Sequence, residues 1–113
     1  MTFDPNQAME QQEVDDIVDS SIENNEVVLF MKGTPMMPQC GYSDRALQLL
    51  QAHRSTFETV DVLQSLDEFR EALERHSDWT TTPQAYVDGE FVGGSDVLAA
   101  LEDRGELSAA LGA

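Results

Sequence analysis

The pattern of apolar and polar positions along the chain predicts helices and strands in alternation. Apolar residues at helical spacing predict helices over 12–24, 41–53 and 66–76, and two shorter helices after residue 94. Runs of β-branched, aromatic and aliphatic residues predict strands over 27–31, 57–62, 85–87 and 90–92. Asp88-Gly89, between the last two strands, is a strong signal for a two-residue hairpin turn. The predicted order is helix, strand, helix, strand, helix, strand, strand, helix, helix.

The predicted strand over 27–31 is apolar throughout, without alternation, which is typical of a strand buried on both faces of a sheet. Strand, helix and strand over 27–62 predict a right-handed parallel crossover. The hairpin over 85–92 adds antiparallel strands. We therefore expect an α/β fold with a four-stranded mixed sheet flanked by helices. Side-chain caps are expected at the third and fourth helices, from Ser65 or Asp67 and from Ser95 or Asp96.

Domain organisation and compartment follow from length and composition. Residues 1–11 are polar and lack a clear period, so we expect a flexible N-terminal tail and a single domain over 12–113. Neither a run of 18 apolar residues nor a basic segment followed by an apolar one is present, so no membrane span or secretory signal is expected. The single cysteine excludes an internal disulfide and fits a reducing compartment, by default the cytoplasm.

The charge balance is strongly acidic, with 22 Asp and Glu against six Lys and Arg, and a net charge of −16. Such a surface repels nucleic acids and anionic membranes, so neither is expected as a partner. Lys32 is the one lysine, and the other cations are arginines. This composition predicts a halophilic source, because a Debye length of roughly 3 Å at 1 M salt makes the self-repulsion tolerable.

Cys40 follows the segment Lys32-Gly33-Thr34-Pro35 and directly precedes the helix predicted from residue 41. A lone cysteine is often only a small buried apolar residue. A helix N-terminus, however, offers unpaired N–H groups and partial positive charge, which lower the pKa of a cysteine. Lys32, at the end of the preceding strand, can add a full positive charge. The sequence therefore predicts that Cys40 is a reactive thiolate.

The Lys-Gly-Thr-Pro segment and Pro38-Gln-Cys-Gly-Tyr-Ser43 resemble the active-site loop of the monothiol glutaredoxins, a family of the thioredoxin-like superfamily. The family signature is Cys-Gly-Phe-Ser, and Tyr42 replaces its Phe. Trp79-Thr-Thr-Thr-Pro-Gln84 is similar to the family's Trp-Pro-Thr-Phe-Pro-Gln, and Ser95 replaces a Cys often found after Gly-Gly. The resemblance covers residues 12–111 and implies a thioredoxin-like fold.

The resemblance also implies a binding site for glutathione or a related low-molecular-weight thiol around Cys40. The ligand that this site would suit is a γ-glutamyl peptide with carboxylates at both ends and an amine at one. The features that would bind it are a cation pair, a backbone edge next to a cis-proline bond, and a pocket at a helix end. The positions implied are Lys32, Tyr42, Arg70, Thr82, Pro83, Gly94, Ser95 and Asp96. By pattern alone, Arg70 is more simply a surface charge paired with a neighbour such as Glu74.

Three functions stay open at this stage. In the first, which the family implies, Cys40 of each of two chains and two thiol molecules hold a [2Fe–2S] cluster at the interface of a homodimer. The cluster then passes to iron–sulfur acceptor apoproteins, with a BolA-like protein as a further partner. In the second, Cys40 is the sole catalytic nucleophile of a glutathione-dependent thiol-disulfide oxidoreductase. The third is an inert binding module, in which Cys40 is an ordinary thiol.

Overall fold

The computed structural model of the chain describes residues 9–112. Within them, the helices are α1 Gln11–Asn24, α2 Gly41–Gln51, α3 Leu66–Ser77, α4 Ser95–Asp103 and α5 Leu107–Ala110. The strands are β1 Val27–Met31, β2 Gly33–Thr34, β3 Met37–Pro38, β4 Glu58–Asp61, β5 Gln84–Val87 and β6 Glu90–Gly93. A short 3-10 turn, Leu63–Ser65, leads into α3.

The four main strands form one mixed sheet in the order β4-β1-β5-β6, which confirms the predicted fold class. Strands β1 and β4 are parallel, as the crossover through α2 requires, and β1 and β5 are antiparallel. The β5–β6 hairpin turns at Asp88 and Gly89, both with positive φ (51° and 84°). These angles are those of the turn that the Asp-Gly pair predicts.

The central strand β1 is buried along its whole length, as its unbroken apolar pattern predicts. Val28 and Phe30 face a core cluster shared with α1 and α3. Val27, Leu29 and Met31 face the opposite cluster, shared with α2, α4 and α5. Helices therefore cover both faces of the sheet, and the C-terminal ends of β1 and β4 meet at one edge, where the loop to Cys40 begins.

Several predicted boundaries differ from the structure. The helix predicted over 41–53 ends at Gln51, and His53 lies beyond it, where its Nε2 contacts Glu102 Oε2 at 2.5 Å. Gly94, not Ser95 or Asp96, is the N-cap of α4, and neither α3 nor α4 has a capping side-chain hydrogen bond. At α3, Ser65 holds the N-cap position, but its hydroxyl instead accepts the backbone N–H of Met9 at 2.8 Å.

The loop after β1 contains a hairpin, and the N-terminal residues are only partly described. The small β2–β3 hairpin was not predicted, because each strand has only two residues and carries no pattern of its own. Residues 1–8 of the predicted tail lie outside the described residues. Within residues 9–112, no helix combines the length and apolar character needed to cross a membrane.

Candidate functional site

Cys40 is the N-cap of α2, with extended backbone angles of −150° and 134° and a half-buried side chain. Its carbonyl oxygen accepts the N–H of Asp44 at 2.9 Å, the first hydrogen bond of the helix. The sulfur therefore lies where the helix presents unpaired N–H groups. This is the placement that the sequence predicts for a reactive cysteine.

The surroundings of Cys40 favour its ionised form. Partial burial of the sulfur raises the pKa of Cys40, but the backbone N–H groups of Ser43 and Tyr42, the Ser43 hydroxyl and the charge of Lys32 lower it. The lowering effects prevail, so the pKa of Cys40 lies below its ordinary value. A larger thiolate fraction at neutral pH makes the group a better nucleophile and metal ligand.

Ser43 connects the start of α2 to the end of β1. Its side chain is fully buried, and its Oγ accepts the backbone N–H of Lys32 at 3.0 Å. The same hydroxyl also favours the thiolate of Cys40. One small buried residue thus holds the lysine, the cysteine and the helix end together.

The β2–β3 hairpin fixes the path of the chain from Lys32 to Cys40. Its first residue, Gly33, has φ +95°, and a Cβ there would lie 2.5 Å from the carbonyl oxygen of Met37. The N–H of Gly33 donates to Asp61 Oδ1 at 3.0 Å, at the end of β4. Gly33 therefore cannot be replaced without moving this loop, for reasons of both conformation and space.

A groove of about 280 Å³ lies between the first turn of α2, at Tyr42, and the N-terminus of α4. It is lined by Tyr42, Trp79, Thr81, Thr82, Pro83, Gly94, Ser95, Asp96 and Val97. The Thr82–Pro83 bond is cis, as the resemblance implies. Six of the predicted site residues therefore line one groove, which combines an aromatic rim with the N-terminus of α4.

The proline loop and α4 touch closely at Gly94. A Cβ at this position would lie 3.0 Å from the carbonyl oxygen of Pro83, tighter than ordinary van der Waals contact. Absence of a side chain at Gly94 therefore lets the helix N-terminus approach the loop and narrows the groove between them.

Gln84 anchors the loop before β5 through its side chain, a role that was not predicted from the sequence. Its side chain is fully buried, and its amide donates to the carbonyl oxygens of Trp79 at 3.0 Å and Thr81 at 2.9 Å. Its own carbonyl oxygen accepts the hydroxyl of Tyr86 at 2.7 Å. The sequence offered one signal for this role, because Gln84 ends the Trp79–Gln84 motif directly after Pro83.

Two of the predicted cations lie in different surroundings. Lys32 lies close enough to Cys40 to lower the pKa of its thiol. Arg70 is absent from the lining of the groove, and its Nη1 pairs with Asp67 Oδ1 at 3.6 Å rather than with Glu74. Arg70 borders a separate surface depression with Thr80. Its part in ligand binding stays a prediction.

The chain is similar to known proteins in both sequence and fold. A sequence model of the family described as Glutaredoxin matches residues 27–92. A monothiol glutaredoxin (ycf64-like) of Synechocystis sp. is 48% identical over 90 residues, covering 80% of this chain and 83% of that protein. Glutaredoxin 4 of Escherichia coli is 43% identical over 90 residues, covering 80% and 77%. The solution structure of reduced poplar apo GrxS14 has a TM-score of 0.75 and 38% identity, covering 91% of this chain and 94% of that one.

Proposed function

Because the chain belongs to the monothiol glutaredoxin family, with its thioredoxin-like fold, we propose that it carries a [2Fe–2S] cluster and transfers it to acceptor apoproteins. Cys40 is the one protein ligand that each chain supplies. The observation that carries the proposal is the thiolate-favouring position of Cys40 at the start of α2, whose Tyr42 lines an open groove, in a chain with no second cysteine.

The residues present fit such a cluster only as part of a larger assembly. A [2Fe–2S] cluster needs four ligands of thiolate type. Among residues 9–112, no group of three or more His, Cys, Asp or Glu side chains could hold a metal ion. With one cysteine per chain, two chains and two external thiols make up the four ligands. The proposal therefore includes a homodimer in the cluster-bound state.

The external thiol would lie in the groove that Tyr42 lines. Its cysteine part would run along the backbone edge of Thr82, where an extended peptide pairs as an added strand does. An α-carboxylate suits the N-terminus of α4, at Gly94 and Ser95, and the neighbouring exposed Asp96 suits an amine. A γ-glutamyl group carries both. Lys32 would attract a carboxylate at the other end of the thiol.

The thiol is glutathione or a shorter γ-glutamylcysteine, and Arg70 distinguishes the two. Only glutathione carries a terminal glycine carboxylate for Arg70 to bind. If Arg70 leaves Asp67 to do so, Arg70→Ala weakens cluster assembly with glutathione and leaves assembly with γ-glutamylcysteine unchanged. Arg104→Ala, at an exposed position beyond α4, is the matched control.

Iron–sulfur apoproteins and a BolA-like protein are the proposed partners, and the cytoplasm is the proposed location.

Anaerobic reconstitution tests the proposal. The protein is mixed with iron, sulfide and either thiol in high salt, and the visible spectrum and apparent mass are recorded. We expect a brown dimer that requires the added thiol and is absent in Cys40→Ser. Asp96→Asn should raise the concentration of thiol that dimer formation requires, whereas Asp103→Asn at the far end of α4 should not. A colourless monomer with folded wild-type protein would contradict the proposal.

A thiol-disulfide oxidoreductase is the second candidate, supported by the lowered pKa of Cys40. Its thiolate would attack the glutathione sulfur of a mixed disulfide, so that a Cys40–glutathione disulfide forms and the protein thiolate leaves. A second glutathione would then attack that disulfide, releasing oxidised glutathione and the Cys40 thiolate, because Ser43 offers no second thiol. Release of glutathione from a glutathionylated test protein, followed over time, measures this activity. Turnover by a colourless monomer would favour this function over cluster transfer.

A further inference from the structure

The large apolar side chains exposed to solvent share one location among residues 9–112. All lie at the edge of the sheet that carries Cys40, and they are Met36, Met37, Tyr42, Leu63 and Trp79. Met36 and Met37 belong to the hairpin directly before Cys40. Leu63 follows β4, where its N–H and that of Gly33 both donate to Asp61 Oδ1. We call these five residues the apolar edge.

Two members of the apolar edge carry an oxidisable sulfur. Met36 is 94% exposed and Met37 is 66% exposed, whereas Met31 is fully buried in β1. Met9, just before α1, packs half-buried against the core. Oxidation of a methionine depends on access of the oxidant to its sulfur, and the sulfoxide is polar where the thioether is apolar. Among the methionines at positions 9–112, the two most accessible therefore lie close in sequence to Cys40.

We propose that Met36 and Met37 are a site of reversible oxidation by hydrogen peroxide, which converts the apolar edge into a polar surface. Each sulfur takes one oxygen atom from its own molecule of hydrogen peroxide. An S–O bond forms, the O–O bond breaks, and water leaves, so that the sulfur loses two electrons. A methionine sulfoxide reductase reverses the step with two electrons from a dithiol, releasing water and a disulfide.

The consequence for assembly rests on the proposed function. Two copies that share a cluster through Cys40 must bring their apolar edges close together, because Met36 and Met37 lie within four residues of the ligand. A sulfoxide oxygen buried in that interface would lose its bound water without gaining a defined hydrogen-bond donor. The cost of this desolvation opposes association. Oxidation at Met36 and Met37 thus disfavours the cluster-bound dimer even when the thiol of Cys40 has been protected from the peroxide.

The test separates oxidation at the hairpin from oxidation of the cysteine. Cys40 of the full chain is first blocked as a methyl disulfide with methyl methanethiosulfonate. Hydrogen peroxide is added, catalase stops the reaction, and dithiothreitol frees Cys40 without reducing sulfoxides. Peptide mass spectrometry gives the oxidation rate at each methionine. We expect Met36 and Met37 to react at least about tenfold faster than Met31, with Met9 between them.

Retention on a hydrophobic-interaction column reports the surface change without any cluster. Oxidised wild-type protein should elute earlier than untreated protein, and a methionine sulfoxide reductase should restore its retention. The double variant Met36→Leu/Met37→Leu keeps an apolar edge that peroxide cannot change, so its retention should stay constant. Met36→Gln/Met37→Gln, which mimics the polar state, should elute early before any treatment.

Cluster reconstitution then tests the consequence for assembly. The brown dimer should decrease at least about threefold in oxidised wild-type protein and stay unchanged in the treated leucine variant. Equal oxidation of Met31 and Met36, or unchanged retention and dimer yield after oxidation, would overturn the proposal. Absence of a dimer in untreated protein would instead count against the proposed function. The oxidation rates of the methionines and the retention on the hydrophobic-interaction column would still test whether Met36 and Met37 are the oxidation site.

Discussion

The backbone N–H of Lys32 donates to the Oγ of Ser43 at 3.0 Å. This hydrogen bond joins the residue directly after β1 to the first turn of α2. Eleven residues separate the two in sequence, and Cys40 lies between them. This hydrogen bond fixes the loop so that Lys32 and the N-terminus of α2 both act on the thiol of Cys40. The reactivity of the cysteine therefore depends on a buried hydroxyl.

Replacement of Ser43 by alanine should make Cys40 less reactive. The variant loses the bond to Lys32 and the hydroxyl that favours the thiolate, so the pKa of Cys40 should rise toward its ordinary value. The free energy of unfolding should fall by about 1 kcal/mol. The rate of alkylation by iodoacetamide as a function of pH measures the pKa. Ser55→Ala, at an exposed loop position, is the control, and an unshifted pH profile for Ser43→Ala would contradict the expectation.

Neutralising Lys32 should lower the reactivity of Cys40 in a salt-dependent manner. In Lys32→Gln the thiolate loses its nearby positive charge, so alkylation at pH 7 should slow by roughly twofold or more at low salt. The difference from wild type should shrink in 1 M salt, because salt screens a half-exposed charge. Lys32→Arg should restore the rate. Arg45→Gln, an exposed cation on α2, should have a smaller effect, and equal effects of the two variants would argue against a specific role for Lys32.

Gln84→Leu should loosen the loop that forms one wall of the groove. The substitution removes two hydrogen bonds to the carbonyl oxygens of Trp79 and Thr81 and leaves the Tyr86 hydroxyl buried without that acceptor. We expect a loss of about 2–3 kcal/mol in the free energy of unfolding, measured by urea denaturation. Gln51→Leu, exposed at the end of α2, should cost less than about 0.5 kcal/mol.

Fluorescence of Trp79 gives a second readout for Gln84→Leu, because Trp79 is the one tryptophan of the chain and lies 5.5 Å from the ring of Phe91. A loosened loop should shift the emission to longer wavelength in folded protein. An unchanged emission maximum would mean that Gln84 stabilises the fold without positioning the groove.

Gly94→Ala should disturb the groove, because the added Cβ would lie 3.0 Å from the carbonyl oxygen of Pro83. The proline loop or α4 must then shift by a few tenths of an ångström. We expect a lower midpoint of thermal unfolding and a weaker effect of added thiol on that midpoint. At Gly41 a Cβ would meet nothing within 4 Å, so Gly41→Ala should keep or raise the midpoint. The same response in both variants would contradict the steric explanation.

Alkaline pH should destabilise the protein through Tyr86. Burial raises the pKa of Tyr86 to about 12, against a smaller lowering effect of Ser77, and an unfolded tyrosine titrates near about 10. Between these values the unfolded state has released its proton and the folded state has not. The stabilising contribution is therefore complete below about pH 10 and is lost as the pH rises toward 12.

Urea unfolding at several pH values checks this expectation. The free energy of unfolding of wild-type protein should decline more steeply between pH 10 and 12 than that of Tyr86→Phe, which has no proton to release. Parallel curves for the two proteins would show that another group controls the alkaline decline.

The sequence by itself determined the order of the elements, the central buried strand, the Asp88-Gly89 turn and the position of Cys40 at a helix start. These features depend on local patterns: apolar periodicity, turn residues and a motif contained in neighbouring positions. The limits of α2 and the cap of α4 were less well predicted, because a helix end depends on which backbone groups find tertiary partners.

The family resemblance grouped distant residues into one site, but only the tertiary structure decided which of them line the groove and which contacts hold them there. The contacts of Gln84 with Trp79 and of Gly94 with Pro83 depend on how the loop before β5 meets α4, and no local pattern encodes that approach. It also placed Arg70 outside the groove lining, beside Asp67. The chemical character of each residue can be read from the sequence. Contact between segments distant in sequence requires the packing of both core clusters, because these clusters hold the helices and loops in place on the sheet.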